Sequence, residues 1–344
     1  MRTVLSRPAR TPLQSLRLRR AFQDIREQAA RPDHAPKTIL LATDFQAPAR
    51  KAFAHAVSLA ALFHAKLVIL HVMKAVPTGR HGSGLGSRYL GPIKTAAMLE
   101  LGRLARAARH AGVKAETRLL CGAPWACILE TAEKLRPELM ALGTHGKVGW
   151  DRLQLGSTAE TVVREAPCPV LTLHGMVPGD AFRHPARARW RRLLVGTDLS
   201  SSTQTILRYA AGLAKRLDAS LLILHALGNG SRSRSLRQAF GPNQKSARSK
   251  KSRQRQLDRW ASMLQAQDLQ AEGRCVAGAP VETIVGEAAR WNADMLILGT
   301  VGRRGFSRLL LGSVAEGVIR RAGCAVLTIP AAATHGLRKG RGRS

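Results

Sequence analysis

The sequence predicts an α/β protein built from two repeated, doubly wound domains, each with an open parallel sheet of five strands. Its length of 344 residues is too great for one ordinary core and suggests two domains. Motifs recur 156 residues apart, as in the pairs Gly143 and Gly299, and Gly156 and Gly312. Short apolar runs alternate with stretches of helical periodicity. This alternation is typical of a parallel sheet that is covered by helices on both faces.

The first repeat begins with a strand over residues 37–44, an apolar run that ends at an acidic residue and a turn. Next come a helix over 48–63, a strand over 66–73, a loose glycine-rich segment over 77–91 and a helix over 92–111. The remaining elements keep the alternation and are expected at 113–120 (strand), 125–136 (helix), 139–142 (strand), 159–164 (helix) and 168–173 (strand). The second repeat restarts at residue 192 with the same order.

Segments of different composition divide the chain around these repeats. We expect a basic N-terminal arm, a first domain, a linker, a second domain with a basic insertion, and a basic tail. Their ranges are 1–36, 37–175, 176–190, 191–331 with the insertion at 228–256, and 332–344. The arm resembles a transit peptide in its arginines, but a plain charged tail is the favoured interpretation because no apolar face accompanies them.

The chain is strongly basic, with 55 Lys and Arg against 22 Asp and Glu and a formal net charge of +33. Such a surface attracts polyanions in a salt-dependent way. Much of the excess lies in the arm and the insertion, where few apolar residues could bury a face. The insertion is therefore predicted to be a mobile basic loop, with helix only near Arg255. It either binds nucleic acid non-specifically or only keeps the protein soluble.

Cysteine usage and hydropathy indicate the cellular compartment in which the protein is expected. The five cysteines form no CxxC pair and leave an odd count, so neither a disulfide framework nor a zinc site is predicted. No apolar run approaches the roughly 18 residues of a membrane helix. We therefore expect a protein of a reducing compartment, the cytoplasm, with no membrane partner.

A glycine motif stands where the fourth strand of each repeat ends. Nine residues lie between Gly146 and Gly156, and nine lie between Gly302 and Gly312. Each second glycine of these pairs stands shortly before a predicted helix. The N-terminus of a helix presents free N–H groups and the positive end of its dipole, so the motif suits phosphate. A flexible turn is the alternative, and the recurrence of the spacing argues against it.

With these motifs the chain resembles the universal stress protein family in its tandem two-domain form. The resemblance covers residues 37–174 and 191–330 and includes the family's ATP-binding glycine signature in both halves. It implies a Rossmann-like fold of the adenine nucleotide alpha hydrolase-like type. It also implies ATP as the ligand, with Mg²⁺ or Mn²⁺ as its candidate companion, and nucleotide binding at the carboxyl ends of the strands.

The resemblance carries the family's site onto matching positions in both repeats. In the first repeat these are Thr43, Asp44, Val72, Leu142, Gly143, His145, Gly146, Lys147, Gly156, Ser157 and Thr158. In the second repeat they are Thr197, Asp198, Ala226, Leu298, Gly299, Gly302, Arg303, Gly312, Ser313 and Val314.

Each assignment has a structural alternative. Asp44 and Asp198 are placed on the adenine and ribose side, but either could be a turn or helix-capping residue. Val72 is expected against adenine, although it could be plain sheet core, and Ala226 offers less surface at that position. Ser157 could cap its helix without meeting a ligand.

Catalytic residues are not predicted. The motif lacks the Gly-Lys-Ser/Thr of a P-loop, and Lys147 and Arg303 either contact phosphate or are solvated loop charges. His145 is not assigned as a base, because the second repeat has Val301 there. The expected function is a regulatory ATP-binding protein of the stress response, with at most slow hydrolysis. Alternatives are a nucleic-acid-associated protein and a weak ATP hydrolase.

The fifth strands are predicted to join the two repeats. Residues 170–173 and 326–329 are short, apolar edge strands that would invite aggregation if they stayed bare. Pairing between them would make an internal pseudo-dimer. In the family that the chain resembles this edge is the usual dimer contact, so a homodimer of the whole chain is a further candidate.

Overall fold

The computed structural model describes residues 36–74, 85–144, 155–174, 190–200, 202–228, 244–300 and 311–330. The predicted N-terminal arm and basic tail lie outside these residues, apart from Pro36. Side chains of the second helix and of the helix after the insertion are described from Gly91 and Ser249 onward.

Ten strands form one continuous sheet in the order β3-β2-β1-β4-β5-β10-β9-β6-β7-β8. The strands of the first repeat are β1 Thr38–Thr43, β2 Lys66–Met73, β3 Ala115–Cys121, β4 Leu139–Gly143 and β5 Val170–Leu173. Those of the second are β6 Arg192–Gly196, β7 Ser220–Leu227, β8 Ala271–Ala277, β9 Met295–Gly299 and β10 Ala325–Ile329. Strand pairs within each repeat are parallel, which confirms the predicted fold class.

Helices cover both faces of the sheet. On one face lie α1 Ala47–Phe63, α2 Leu85–His110, α5 Thr203–Leu217 and α6 Gln244–Gln265. On the other lie α3 Pro124–Leu135, α4 Ser157–Glu165, α7 Pro280–Arg290 and α8 Ser313–Arg321. The strands are buried from both sides and form two apolar layers. This explains why they read as continuous apolar runs in the sequence rather than as alternating ones.

The repeats join through their fifth strands, as predicted. β5 and β10 pair antiparallel, with Leu171 opposite Leu327. Two threonines reinforce the pairing, because Thr172 Oγ1 donates to the carbonyl of Val326 at 3.1 Å and Thr328 Oγ1 donates to the carbonyl of Val170 at 3.2 Å. The internal pseudo-dimer therefore has a single sheet and buries two strands that would otherwise be edges.

The segment predicted to be loose before residue 92 is partly helical. Helix α2 begins at Leu85 and contains Pro92, which was predicted to start it. A proline removes one backbone hydrogen bond to the residue four positions earlier. The helix tolerates that loss here, so the proline does not mark its start.

The prediction of a mobile loop is wrong for the second half of the basic insertion, while residues 229–243 lie outside the described part of the chain. Residues 244–256 belong to α6, whose Leu257 is fully buried against the sheet. The Gln254 side chain donates to the carbonyl of Gly273 at 2.7 Å and accepts from the N–H of Cys275 at 2.8 Å. Gln254 thus bonds the outer edge of β8, so burial of Leu257 and this polar anchor order a stretch whose composition indicated disorder.

Candidate ligand edge at the carboxyl ends of the strands

Each repeat has a topological switch point, where successive strands stop being added on one side of the first strand and start being added on its other side. In the first repeat β1 lies between β2 and β4, and Ala42 pairs with Leu142 while Thr43 pairs with His71. In the second repeat β6 lies between β7 and β9 in the same way. Ligands of open α/β sheets bind outside the carboxyl ends of the strands at such a switch point. The topology therefore brings the predicted residues at the strand ends, Thr43 and Leu142 with their counterparts Thr197 and Leu298, to the two sheet edges at these switch points.

The turns after β1 and β6 have the same hydrogen bonds. Thr43 Oγ1 accepts from the N–H of Phe45 at 3.0 Å, and Asp44 Oδ1 accepts from the N–H of Gln46 at 3.0 Å. In the second repeat Thr197 and Asp198 accept from the N–H groups two residues on, at 2.9 Å in each case. One carboxylate oxygen of each aspartate thus stabilises its own turn, as the structural alternative proposed.

Each of these turns also contains a residue in the left-handed region. Phe45 has φ 64° and its counterpart Leu199 has φ 59°. Residues other than glycine seldom adopt this conformation, and its recurrence shows that the turn is held in place by its surroundings. The two aspartates are therefore presented at the sheet edge on rigid backbone.

Sequence reasoning missed two histidines that hold these turns. The ring Nδ1 of His71 lies 2.8 Å from the carbonyl oxygen of Thr43, and Nδ1 of His225 lies 2.7 Å from that of Thr197. Because a carbonyl only accepts, Nδ1 carries a proton in both rings, and in the neutral form of the ring Nε2 is the acceptor. The signal was present, since the two histidines occupy the same place in the second strand of each repeat and are 154 residues apart.

Gly143 is required by packing within the protein. A Cβ at this position would overlap the backbone of Pro48 and Ala49, in the first turn of α1. Its backbone φ is not positive, so a turn of special conformation does not explain it either. The close approach of α1 to the end of β4 accounts for the glycine, independently of any phosphate.

The helices that follow the glycine motifs both begin at an N-cap glycine with extended backbone. Gly156 is the N-cap of α4 with φ −60° and ψ 138°, and Gly312 is the N-cap of α8 with φ −63° and ψ 136°. Neither position has a side-chain cap, and both Ser157 and Ser313 are exposed. Among the described residues the first N–H groups of each helix therefore have no N-cap side chain as acceptor, which suits an anion site.

Thr158, Gly299 and Val314 are half-buried, and the other remaining predicted residues divide into two groups. Leu142 and Leu298 are buried in the sheet, whereas Val72 and Ala226 are half-buried near the strand ends, where a planar ligand could reach them. The other group comprises His145, Gly146, Lys147, Gly302 and Arg303, which lie outside the described residues. Within the described ranges, no group of three or more His, Cys, Asp or Glu side chains is arranged to hold a metal ion.

The two edges differ in the side chains around their histidines. In the first repeat the rings of Phe45 and His71 lie 4.2 Å apart. In the second repeat a leucine replaces the phenylalanine, and Arg253 of α6 places Nη1 3.5 Å from Nε2 of His225. The second edge therefore has a cation from the insertion helix, where the equivalent position of α2 is Ala97.

A doubly wound parallel sheet with a polar turn at its switch point defines an α/β protein of the open-sheet class. The model of the universal stress protein family matches this chain twice, over residues 36–174 and 189–330. The chain belongs to the universal stress protein family and carries two family domains in tandem.

Individual relatives agree with this assignment. A universal stress protein of Methanocaldococcus jannaschii is 34% identical over 138 residues, which are 40% of this chain and 81% of that protein. One of Thermus aquaticus is 38% identical over 142 residues, covering 39% of this chain and 96% of its own length. A crystal structure of a universal stress protein from Archaeoglobus fulgidus matches the fold with a TM-score of 0.65 and 20% identity, over 86% of this chain and 97% of that one. No helix in the described segments has the length and apolar character needed to cross a membrane.

Proposed function

We propose that each repeat binds ATP at its carboxyl edge, and that the chain acts as a regulatory ATP-binding protein of the cytoplasmic stress response with little or no turnover. The observation that carries the proposal is the duplicated edge. Two turns, two histidines and two uncapped helix N-termini recur with the same hydrogen bonds in repeats whose side chains otherwise differ.

The proposed roles follow from what each group offers. The N–H groups at the start of α4 and α8 suit the phosphates, assisted by the hydroxyls of Ser157 and Ser313. Val72 and Ala226 offer apolar contact for adenine, with the smaller alanine giving the second site less contact area. Lys147 and Arg303 are candidates for phosphate oxygens, and Mg²⁺ or Mn²⁺ would be held chiefly by those oxygens.

Low turnover is proposed because the described edge offers no assigned base. Asp44 and Asp198 each use one oxygen to stabilise a turn, and the rings of His71 and His225 each use Nδ1 for a backbone carbonyl. A group that orients water for attack on phosphate needs a free acceptor aimed at that water. In the neutral ring Nε2 of His71 keeps a lone pair, whereas Nε2 of His225 lies 3.5 Å from Nη1 of Arg253. The two rings therefore differ at the atom that a base would use, and we propose that both position their turns and that neither acts as a base.

Substitution of the N-cap glycines tests the proposal. Gly156→Val and Gly312→Val should each remove one ATP site, because a branched side chain fills the space in front of the helix N-terminus. The N-cap conformations are open to any residue, so the backbone should not be strained. Titration calorimetry with ATP and Mg²⁺ should give two sites for the unaltered chain, one for each variant and none for the double variant.

A matched control uses the opposite end of the same helix. Gly323 follows α8 in open space, so Gly323→Val should leave both sites intact. Absence of ATP binding by the unaltered chain from micromolar to submillimolar concentrations would refute the proposal. Loss of both sites in either single variant would show that the repeats share one site.

A further inference from the structure

Helix α6 carries a row of positive side chains on its solvent face. Lys251, Arg255 and Arg259 are all exposed and are spaced four residues apart, so they lie on one face of the helix. The rise of an α-helix separates such residues by about 6 Å along the axis. The opposite face is apolar and buried at Leu257 and Ala261.

The row is held in a fixed position. Gln254 makes two hydrogen bonds to the edge of β8, and Gln265, three turns further along, donates to the carbonyl of Ala271 at 2.8 Å. A Cβ on Gly273 would lie only 2.7 Å from the backbone of Leu257, which shows how closely the helix approaches the strand. Because the helix is already ordered, binding through this face does not require a disordered segment to fold.

The first repeat lacks the row at the same place. Helix α2 packs on β3 as α6 packs on β8, and its Leu101 and Ala105 are buried like Leu257 and Ala261. The positions 156 residues before Lys251, Arg255 and Arg259 are Thr95, Leu99 and Arg103. The fold therefore needs only the apolar face, and the positive row is an addition of the second repeat.

We propose that the row formed by Lys251, Arg255 and Arg259 is a binding surface for the phosphate backbone of double-stranded DNA. Duplex DNA carries about one negative charge per 1.7 Å of its axis, and neutralising cations release counterions on contact. The one acid of α6, Asp258, is the i+3 neighbour of Arg255, but its Oδ1 accepts from Gln254 and the three cations of the row outnumber it. Contacts between cationic side chains and phosphates carry no information about the bases, so binding is independent of base sequence.

The chemistry of this face disfavours other anionic partners. A helix that lies on a membrane needs large apolar side chains beside its cations. Around the row of α6 the exposed residues are polar apart from Met263, which is 63% exposed. Single-stranded nucleic acid binds through aromatic side chains on which bases stack, and Trp260, the aromatic residue of the helix, packs against the core.

The test measures salt dependence with the full chain. Fluorescence anisotropy of a labelled DNA duplex of mixed sequence, over a series of KCl concentrations, gives the slope of log K against log salt. Replacing Lys251, Arg255 and Arg259 together by Gln should flatten the slope by about 0.9 for each phosphate that is no longer neutralised, or up to about 2.7 in total. ATP binding, followed by calorimetry, should not change, so failure here is distinct from failure of the proposed ATP sites.

Two matched variants complete the test. A control triple, Lys94→Gln, Arg103→Gln and Arg106→Gln, removes three exposed charges from α2 and should leave the slope close to that of the unaltered chain. The pair Thr95→Lys and Leu99→Arg completes the row on α2 and should steepen the slope, an outcome that misfolding cannot mimic. Equal flattening by both triples, or binding to phosphatidylserine vesicles but not to DNA, would overturn the proposal.

Discussion

Two half-buried histidines near the junction of the two repeats are held uncharged at neutral pH. The ring of His55 lies 4.8 Å from that of Trp190, and its Nδ1 makes no hydrogen bond within the described part of the chain. Burial, and then the charge of Lys51, lower the pKa of His55 to about 4, against the smaller opposite effect of Asp294. Burial and Lys51 likewise lower the pKa of His174, whose Nδ1 contacts Thr144 Oγ1, to about 4.

These pKa values predict loss of stability in acid. A histidine with a lowered pKa in the folded state takes up protons more readily when unfolded, so stability is present above the unfolded pKa near 6.5 and is lost as the pH falls towards 4. Between pH 7 and pH 5 the free energy of unfolding should fall by about 2 kcal/mol for each of His55 and His174. Denaturant unfolding at a series of pH values measures this directly.

Variants assign the effect to these two rings. The double variant His55→Leu/His174→Asn should flatten the pH dependence between 7 and 5, while His110→Asn, at an exposed position near the end of α2, should not. An unchanged slope in the double variant would place the acid sensitivity elsewhere. Since Thr144 directly follows Gly143, protonation of His174 would also disturb the start of the glycine motif in the first repeat only, because Pro330 is the equivalent residue in the second.

At the scale of elements, the two outer strands of the sheet, β3 and β8, receive different hydrogen bonds from the helices that cover them. Helix α6 bonds the edge of β8 through Gln254 and Gln265. On the other side, Arg109 of α2 reaches the carbonyl of Ala115 at 3.0 Å, but the counterpart of Gln254 is Met98, which is 57% exposed. The second repeat therefore protects its edge with side-chain amides that compete with any incoming strand.

Close packing of α6 on β8 makes Gly273 sensitive to substitution. Gly273→Ala should lower the free energy of unfolding by about 1–3 kcal/mol, because the new Cβ meets the backbone of Leu257, which cannot rotate away. Gly102→Ala in α2 is the control, since its Cβ would lie 3.7 Å from the nearest atom, on the flexible Arg106 side chain. It should be neutral or stabilising by up to about 1 kcal/mol. Equal effects in thermal or denaturant unfolding would contradict the close contact.

At the scale of the whole molecule, the β5–β10 pairing makes the two repeats one body. Leu171 and Leu327 are equivalent residues, 156 positions apart, and they face each other in the register. They therefore lie at the centre of the pseudo-twofold relation between the repeats. Both are almost fully buried, so the seam between the repeats is part of the core.

A disulfide across this seam tests the arrangement. The double variant Leu171→Cys/Leu327→Cys should form a crosslink within one chain under oxidising conditions, because residues directly opposite in an antiparallel pair have Cα atoms close enough for a disulfide. The pair Leu171→Cys/Ile329→Cys is two residues out of register and should not. Mass spectrometry of digested monomer identifies the linkage, and the single variants control for pairing with native cysteines. Crosslinking only between chains would show that β5 and β10 pair in a dimer instead.

Much of the fold followed from the sequence because its signals are local or repeated. Continuous apolar runs predicted the parallel strands, and the range of β2 agrees with the prediction to the residue. The 156-residue separation of the motifs predicted the duplication. The apolar fifth strands, which would be exposed edges in a single repeat, predicted that the two repeats pair through them. The parallel strands also predicted the edge at which the candidate site residues lie, since the ligands of open sheets bind at the carboxyl ends of the strands.

Other features depended on packing between distant residues, which no local pattern records. The helix at 244–256 exists because Leu257 is buried and Gln254 bonds a strand about twenty residues away, although its composition alone indicated disorder. Gly143 looked like a phosphate contact, yet it is explained by the approach of α1, which lies about ninety residues earlier in the chain. The sequence by itself determined the elements, their repetition and the sheet edge where the candidate site residues lie. Only the tertiary structure decided which polar groups are committed to the backbone and which positive charges are held in a row, because both depend on packing between segments far apart in the chain.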